Sequence, residues 1–144
     1  LPTNVASTFK ARFPSIKTAS WMKEDTIYAA EFTMDDYKTE AEFNEKGLWI
    51  CTEWDIPIEY LPQTIKTYIN TNYPKYKINE LAVTEFPVDG KLYVVEISKK
   101  ADCPDIYFSL KNEFKKEVKE TCEKKKKCCT KKDKTKVESK TDVK

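Results

Sequence analysis

Two carboxylates, Glu31 and Glu96, are the side chains whose placement could support acid–base chemistry. Each lies on the polar side of a stretch in which apolar and polar residues alternate, as they do in a half-buried strand. The sequence has no histidine, which excludes Ser-His-Asp and Cys-His catalysis, and only two glycines, too few for a Gly-rich phosphate loop. Because no base, metal-ligand cluster or lysine accompanies the two carboxylates, we interpret them as solvated sheet surface. We predict that the protein is not an enzyme and needs no cofactor.

The cysteines offer a second kind of chemistry. Cys51 and Cys103 lie in the body of the chain, whereas Cys122, Cys128 and Cys129 lie near its end. Three thiolates could bind a soft metal such as copper(I) or zinc, but no C-x-x-C spacing is present. We therefore favour disulfides or idle thiols and predict no metal site. The connectivity of the five cysteines stays open at this point.

Charge divides the chain into an acidic body and a basic tail. Residues 1–114 hold 13 Lys and Arg against 18 Asp and Glu, and residues 115–144 hold 13 Lys against 6 Asp and Glu. The tail has no aromatic residue for base stacking, so we predict no nucleic-acid partner. No apolar run approaches the roughly 20 residues of a membrane helix, so we predict no integral membrane segment. The chain begins without Met, which we interpret as a processed N-terminus with an export signal removed.

The body carries one pattern twice. Residues 1–14 and 61–74 align at an offset of 60, each opening with Leu-Pro and closing with an aromatic residue and Pro. Between these ends, apolar residues recur every fourth position, which predicts two short amphipathic helices. The helical apolar residues are Val5, Phe9 and Phe13 in the first copy and Ile65, Ile69 and Tyr73 in the second.

After each helix the apolar period changes to two, which predicts β-strands. The offset also rises to 65, and the five additional residues fall at a hairpin tip that ends in Asp89-Gly90. Lys46-Gly47 and Lys111-Asn112 then match, and both pairs suit a turn with positive φ. We predict an α+β fold of two tandem repeats, each a helix with four antiparallel strands, that form a two-layer sheet with both helices on one face. The predicted parts are a first repeat with its connector over residues 1–60, a second repeat over 61–114, and a Lys/Cys-rich tail over 115–144 that is a short helix or disordered.

This doubled pattern resembles the PepSY-like, β-lactamase-inhibitor-like (BLIP-like) family of exported proteins of Bacteroidetes-type bacteria. The motifs that carry the resemblance are Leu-Pro, the aromatic-Pro pair, and a Phe followed by a Gly turn and Trp, here Phe43 through Gly47 to Trp49. In the second copy Asn112 and Phe114 replace the Gly and Trp. The resemblance implies helices on one face of an antiparallel sheet and a periplasmic or secreted location. The inhibitor that lends the fold its name binds an enzyme through its sheet, but fold analogy alone does not assign that activity to this chain.

We therefore expect an exported, non-enzymatic protein-binding module that acts as an inhibitor or sensor of an extracytoplasmic protein or peptide. The alternative is a metal- or thiol-handling protein that acts through the tail. Tyr107 is the leading contact candidate, because it alternates with Ile106 and Phe108 and should face outward on the open sheet face. The oligomeric state stays open. The predicted protein-binding residues are Tyr107, Glu31, Glu96, Glu42 and Trp54.

Overall fold

The structure is a computed structural model that describes residues 1–123 and the backbone of residues 136–142. The described part has the predicted α+β class, with two α-helices and antiparallel strand pairing. In chain order its elements are α1 (Thr3–Arg12), β1 (Thr18–Glu24), β2 (Ile27–Met34), β3 (Tyr37–Asn44), β4 (Trp49–Ile56), a 3-10 helix (Ile58–Tyr60), α2 (Gln63–Asn72), β5 (Lys77–Phe86), β6 (Gly90–Ser98), β7 (Asp105–Ser109), β8 (Phe114–Val118) and β9 (Lys136–Asp142).

The chain divides into two compact units. Unit 1 comprises Leu1–Trp54 and Lys126–Lys144, and unit 2 comprises Asp55–Lys125. Within unit 1 the strand order is β4-β3-β2-β1-β9, and within unit 2 it is β5-β6-β7-β8. The prediction that both helices cover one face of a combined sheet stays a prediction.

Both helices begin and end as the Leu-Pro and aromatic-Pro pairs predict. In α1 the amide of Ala6 donates to the carbonyl of Pro2 (3.1 Å), and the amide of Phe13 donates to the carbonyl of Phe9 (2.8 Å). Pro14 follows, and because the residue before a proline avoids the helical region, the helix ends at Arg12 with Phe13 as its C-cap. In α2 the amide of Tyr73 donates to the carbonyl of Ile69 in the same way (2.8 Å).

Phe9 is the centre of the core of unit 1. Its ring centroid lies 5.3 Å from those of Trp21 and Phe32 and 6.1 Å from that of Phe43. Offset and edge-to-face ring pairs at these distances add to the free energy of burial. The four-residue spacing of α1 therefore presents one stripe to strands β1, β2 and β3. The buried residues of this core are Val5, Phe9, Phe13, Ala19, Trp21, Ala30, Phe32, Ala41 and Phe43.

The core of unit 2 is aliphatic where that of unit 1 is aromatic. Ile65 and Ile69 of α2 are fully buried, and Tyr68 packs edge-on against Phe108 at 5.4 Å between ring centroids. Alternate residues of strands β5, β6 and β7 complete this core, as their period of two requires. Its buried residues are Ile65, Ile69, Leu81, Val95, Ile97, Ile106 and Phe108.

The end of the chain is more regular than the low hydrophobicity of residues 115–144 suggests. Strand β8 runs to Val118, and a disulfide then joins Cys122 to Cys103. Strand β9 pairs antiparallel with β1 from Glu24↔Lys136 to Thr18↔Asp142. Such an edge strand needs backbone hydrogen bonds rather than apolar residues, which is why composition alone pointed to a short helix or disorder. Residues 124–135 and 143–144, with Cys128 and Cys129, lie outside the described residues.

Candidate protein-binding surface

The face of unit 1 opposite α1 carries a row of three carboxylates. Cross-strand pairing places Glu31 of β2 beside Glu40 of β3, and Glu40 beside Glu53 of β4. These residues alternate with the core residues Ala30 and Ala41, so strand geometry directs them away from the helix. The row crosses three adjacent strands. We call it the unit 1 carboxylate row.

Unit 2 has a comparable row on the face opposite α2. Glu80 of β5 pairs with Glu96 of β6, and Glu96 pairs with Asp105 of β7. At the offset of 65, Glu31 corresponds to Glu96 and Glu40 to Asp105. We call Glu80, Glu96 and Asp105 the unit 2 carboxylate row.

Like charges directly opposite each other on neighbouring strands destabilise a sheet. A row of three is therefore unfavourable unless positive charge lies against it. In unit 1 the Nζ of Lys38 is 3.9 Å from the Oε2 of Glu31, but the lysine side chain is 67% exposed. An ion pair this exposed contributes little to stability. The rows give this face of each unit a negative character.

Of the predicted contact residues, Glu31 and Glu96 belong to these rows and are partly exposed. Glu42 lies on the same face as Glu31, yet it is fully buried. Its cross-strand neighbours are Ala29, which is 5% exposed, and Cys51, which is fully buried. The expectation that this face is open to water is therefore wrong at its centre. The alternation of apolar and polar residues correctly predicted the sheet face on which Glu42 lies, but it does not predict whether other groups cover that face.

Tyr107 is also buried, with 4% of its surface exposed. It points away from Ile106 and Phe108, as alternation predicts, but it joins a small cluster with Leu92 and Val94. The Nζ of Lys116 lies 4.7 Å from the centre of its ring. The outward exposure predicted for Tyr107 is therefore wrong, because side chains from neighbouring strands enclose the ring.

Trp54 lies on the other face of the sheet. Its cross-strand neighbour is Thr39, which pairs with the core residue Phe32. The structure therefore does not bring Trp54 together with Glu31 or Glu42. Sequence reasoning did not select Glu53, Glu80 and Asp105, since recognising a row requires the register between strands. Their alternation with apolar residues was the available signal.

The three cysteines among the described residues, Cys51, Cys103 and Cys122, are engaged in disulfides. Cys103 is bonded to Cys122, and Cys51 is also disulfide-bonded. A bonded Cys122 cannot serve as a thiolate ligand, which removes one of the three tail cysteines from the metal-binding alternative. Within residues 1–123 and 136–142, the structure contains no group of three or more His, Cys, Asp or Glu side chains that could hold a metal ion.

Two tyrosines beside the end of α2 donate to carboxylates. The hydroxyl of Tyr73 donates to Oε1 of Glu117 (2.8 Å), and that of Tyr76 donates to Asp102. Desolvation, followed by the hydrogen bond to Glu117, raises the pKa of Tyr73. The hydrogen bond to Asp102 raises the pKa of Tyr76. Both phenols therefore act as neutral donors that join the segment after α2 to β8 and to the β6–β7 loop.

Residues 26–116 match the family described as "Putative beta-lactamase-inhibitor-like, PepSY-like". The chain belongs to this family. The match extends from β2 into β8, so it includes both carboxylate rows, and it confirms the resemblance carried by the doubled Leu-Pro and aromatic-Pro pattern. No curated protein matches the sequence.

Solved structures of Bacteroides proteins are similar to this one. A BLIP-like protein from Bacteroides fragilis has 22% identity and a TM-score of 0.70, covering 84% of this chain and 89% of its own. A DUF2874 family protein from Bacteroides ovatus has 23% identity and a TM-score of 0.68, covering 82% of this chain and 86% of its own. A protein of Bacteroides eggerthii described as "putative periplasmic" has 18% identity and a TM-score of 0.66, covering 83% of this chain and 89% of its own. At these identities the similarity establishes the fold.

Neither α1 nor α2 is long or apolar enough to cross a membrane, and the described residues contain no other helix that could do so.

Proposed function

We propose that this protein is an extracytoplasmic, non-enzymatic protein-binding module of the inhibitor-like kind. The observation that carries the proposal is the unit 2 carboxylate row, three acids in register on the face opposite α2. A protein or peptide with a basic surface is complementary in charge to this row. Membership of a β-lactamase-inhibitor-like family supports protein binding as the general activity.

An extracytoplasmic location is supported by the disulfides. Disulfides persist in oxidising compartments such as the periplasm and are rare in the cytosol. Cys103–Cys122 closes a segment of 19 residues, and Cys51 is bonded as well. The periplasmic description of the Bacteroides eggerthii protein supports the same assignment.

The doubled sequence pattern supports the further proposal that the two units are copies of one repeat. Each helix has ten residues, and their bounds differ by 60 positions. A register shift follows Glu42 in the β3–β4 pair and Tyr107 in the β7–β8 pair, residues that correspond at the offset of 65. Gly47 and Asn112 both have positive φ.

The binding proposal is tested with immobilised protein and a solubilised envelope extract of the source cell. The variant is Glu80→Lys/Glu96→Lys, and the control is Glu59→Lys/Glu113→Lys, two exposed acids of unit 2 outside the row. We expect an envelope protein to be retained by the wild type and by the control, and to bind the row variant at least about tenfold more weakly (~1.4 kcal/mol). Salt should elute it, since the contacts are ionic.

Circular dichroism must first show that both double variants are folded. Equal retention by all three proteins would contradict the proposal. So would equal loss by both double variants, because net charge alone would then explain the binding.

A further inference from the structure

We propose that two copies of this chain associate through the outer edge of β8, pairing antiparallel about a two-fold axis at Val118. The occupant of this edge is a second copy of the same chain, and the segment that pairs is residues 116–120. The inference does not depend on the proposed binding function, because it uses the edge of the unit 2 sheet rather than the unit 2 carboxylate row.

The outer edge of β8 is the feature on which the inference rests. β8 (Phe114–Val118) comes last in the strand order β5-β6-β7-β8, and it pairs with β7 on one side. No strand among residues 1–123 and 136–142 pairs with its other side. An edge strand presents backbone amides and carbonyls to which the strand of another chain can bind.

One backbone hydrogen bond shows which residues direct their backbone groups outward. The amide of Cys103 donates to the carbonyl of Glu120 (2.8 Å), in the same register as the β7–β8 pairing. Backbone groups along an antiparallel strand face its two sides alternately, so those of Glu120 and Val118 face β7. The amides and carbonyls of Glu117 and Lys119 therefore face the outer edge, where a second strand would bind.

The side chains of this segment are complementary to themselves in charge. With the axis at Val118, antiparallel pairing places Glu117 opposite Lys119 of the second copy, and Lys116 opposite Glu120 of the second copy. Each pair occurs twice by symmetry, and an apolar β-branched residue faces itself at the axis. Opposite charges directly across two antiparallel strands stabilise the pairing. The register that pairs these charges also pairs the residues whose backbone groups face outward.

Other positions of the axis are less favourable. An axis at Lys116, Glu117 or Lys119 would place a charged residue opposite itself, and like charges in that position destabilise a sheet. The register of the β7–β8 pair also shifts after Tyr107, which leaves Lys115 as an additional residue in β8. Such a bulge disrupts pairing locally. Pairing is therefore limited to residues after the bulge, which are the complementary ones.

The contacts already made by this segment are compatible with the pairing. Lys116 and Lys119 are exposed, and Glu117 and Glu120 are half-buried. The hydroxyl of Tyr73 donates to Oε1 of Glu117 (2.8 Å), and a carboxylate can accept several hydrogen bonds at once. Lysines on an edge strand oppose pairing with unrelated strands. Because each lysine faces a glutamate in the self-paired arrangement, the edge favours its own copy.

Association is measured by sedimentation velocity of the wild-type protein at concentrations from micromolar to millimolar. We expect the weight-average mass to rise with concentration toward twice that of the monomer. Added salt should weaken the association, because the cross-strand pairs are ionic. A wild type that stays monomeric over the whole series, or that assembles beyond the dimer, would overturn the proposal.

Two charge-reversal variants test the complementarity of the segment. Lys116→Glu/Lys119→Glu makes its charged residues all acidic, and Glu117→Lys/Glu120→Lys makes them all basic. Each variant alone should dimerise at least about tenfold more weakly than the wild type (~1.4 kcal/mol), because like charges then face each other. An equimolar mixture of the two variants should form a heterodimer, because opposite charges face each other again.

The matched control for charge is Lys66→Glu/Lys75→Glu, which reverses two exposed lysines of unit 2 outside β8. This control should dimerise like the wild type. Circular dichroism must first show that each variant is folded. Equal weakening in the control and in Lys116→Glu/Lys119→Glu would contradict the proposal. So would a mixture of the two charge-reversal variants that associates no more strongly than either one alone.

The backbone contact is tested without charge reversal by comparing Lys119→Pro with Lys119→Ala. Proline removes an amide that faces the outer edge and leaves the amides that face β7 in place. Alanine removes the same side chain but keeps the amide. We expect Lys119→Pro to dimerise at least about tenfold more weakly than Lys119→Ala (~1.4 kcal/mol). Equal dimerisation of the two variants would show that β8 does not pair through its outer edge.

Discussion

Gly47 lies directly against the first turn of α1, at Asn4. A Cβ at Gly47 would be 2.9 Å from the carbonyl oxygen of Asn4, and the φ of Gly47 is +86°. The amide of Gly47 donates to the carbonyl of Asn44 (2.9 Å), and the Asn4 side-chain amide donates to the carbonyl of Glu45 (3.3 Å). The β3–β4 turn can therefore pack this closely against α1 because residue 47 has no side chain. Backbone conformation and close approach both require glycine here.

Replacing Gly47 by alanine should destabilise the protein by about 2–4 kcal/mol. The alanine would have to adopt a left-handed backbone conformation, and its Cβ would clash with the backbone of Asn4. Gly90→Ala is the matched control, since Gly90 has a φ of +69° but a Cβ added there would meet nothing within 4 Å. We expect this control to lose only about 1–2 kcal/mol. Urea denaturation of both variants measures the difference. Equal losses would show that the contact with Asn4 contributes nothing.

Phe43 and Phe108 occupy corresponding positions, and both are fully buried. Truncation of either ring leaves a cavity that the neighbouring rings cannot fill. Phe43→Ala and Phe108→Ala should therefore each cost about 3–5 kcal/mol. Denaturant unfolding followed by far-UV circular dichroism measures the loss. A nearly neutral change at either position would contradict equivalent packing of the two residues, and Val88→Ala, at a 94% exposed position, serves as a control for truncation itself.

The helices could be predicted because local chemistry determines them. Pro2 and Pro14 restrict the backbone at both ends of α1, and the four-residue spacing of Val5, Phe9 and Phe13 sets its buried side. The positive φ of Gly47 and Asn112 likewise follows from residue type. The coarse α+β class follows from the two apolar periods.

The candidate site was harder to predict because it depends on register and covering groups. Alternation gives the side on which Glu42 and Tyr107 lie, but their burial depends on neighbours that are distant in sequence. Strand β9 has no apolar period, since it is an edge strand held to β1 by backbone pairing. The Cys103–Cys122 pairing follows from the antiparallel approach of Ala101–Cys103 and Glu120–Cys122, which no spacing rule reveals.

The Cys103–Cys122 disulfide should stabilise unit 2 measurably. It joins two residues 19 positions apart, with β7 and β8 between them. Closing such a loop lowers the conformational entropy of the unfolded chain, which raises the free energy of unfolding by about 3 kcal/mol. The Cys103→Ala/Cys122→Ala protein should therefore unfold at a lower urea concentration than the wild type. The hydrogen bonds from the amide of Cys103 to Glu120 and from the amide of Cys122 to Ala101 stay available in the variant. An unchanged midpoint would show that these backbone bonds already hold the segment.

Alkaline pH should weaken the fold through Tyr73. Its pKa is raised in the folded state by desolvation and by the hydrogen bond to Glu117. Below about pH 10, the pKa of a tyrosine in an unfolded chain, both states carry the neutral phenol and its stabilising contribution is complete. As the pH rises above 10, the unfolded state releases the proton while the folded state retains it. The free energy of unfolding therefore falls.

Tyr73→Phe removes the titrating hydroxyl. The free energy of unfolding of this variant should therefore decrease less steeply than that of the wild type between about pH 10 and pH 12. Urea denaturation at a series of pH values gives both slopes. Glu117→Gln keeps a polar acceptor but removes the negative charge, so its slope should lie between those of the wild type and Tyr73→Phe. Identical slopes for the wild type and Tyr73→Phe would contradict the raised pKa. A steeper slope in Tyr73→Phe would reverse the sign of the linkage.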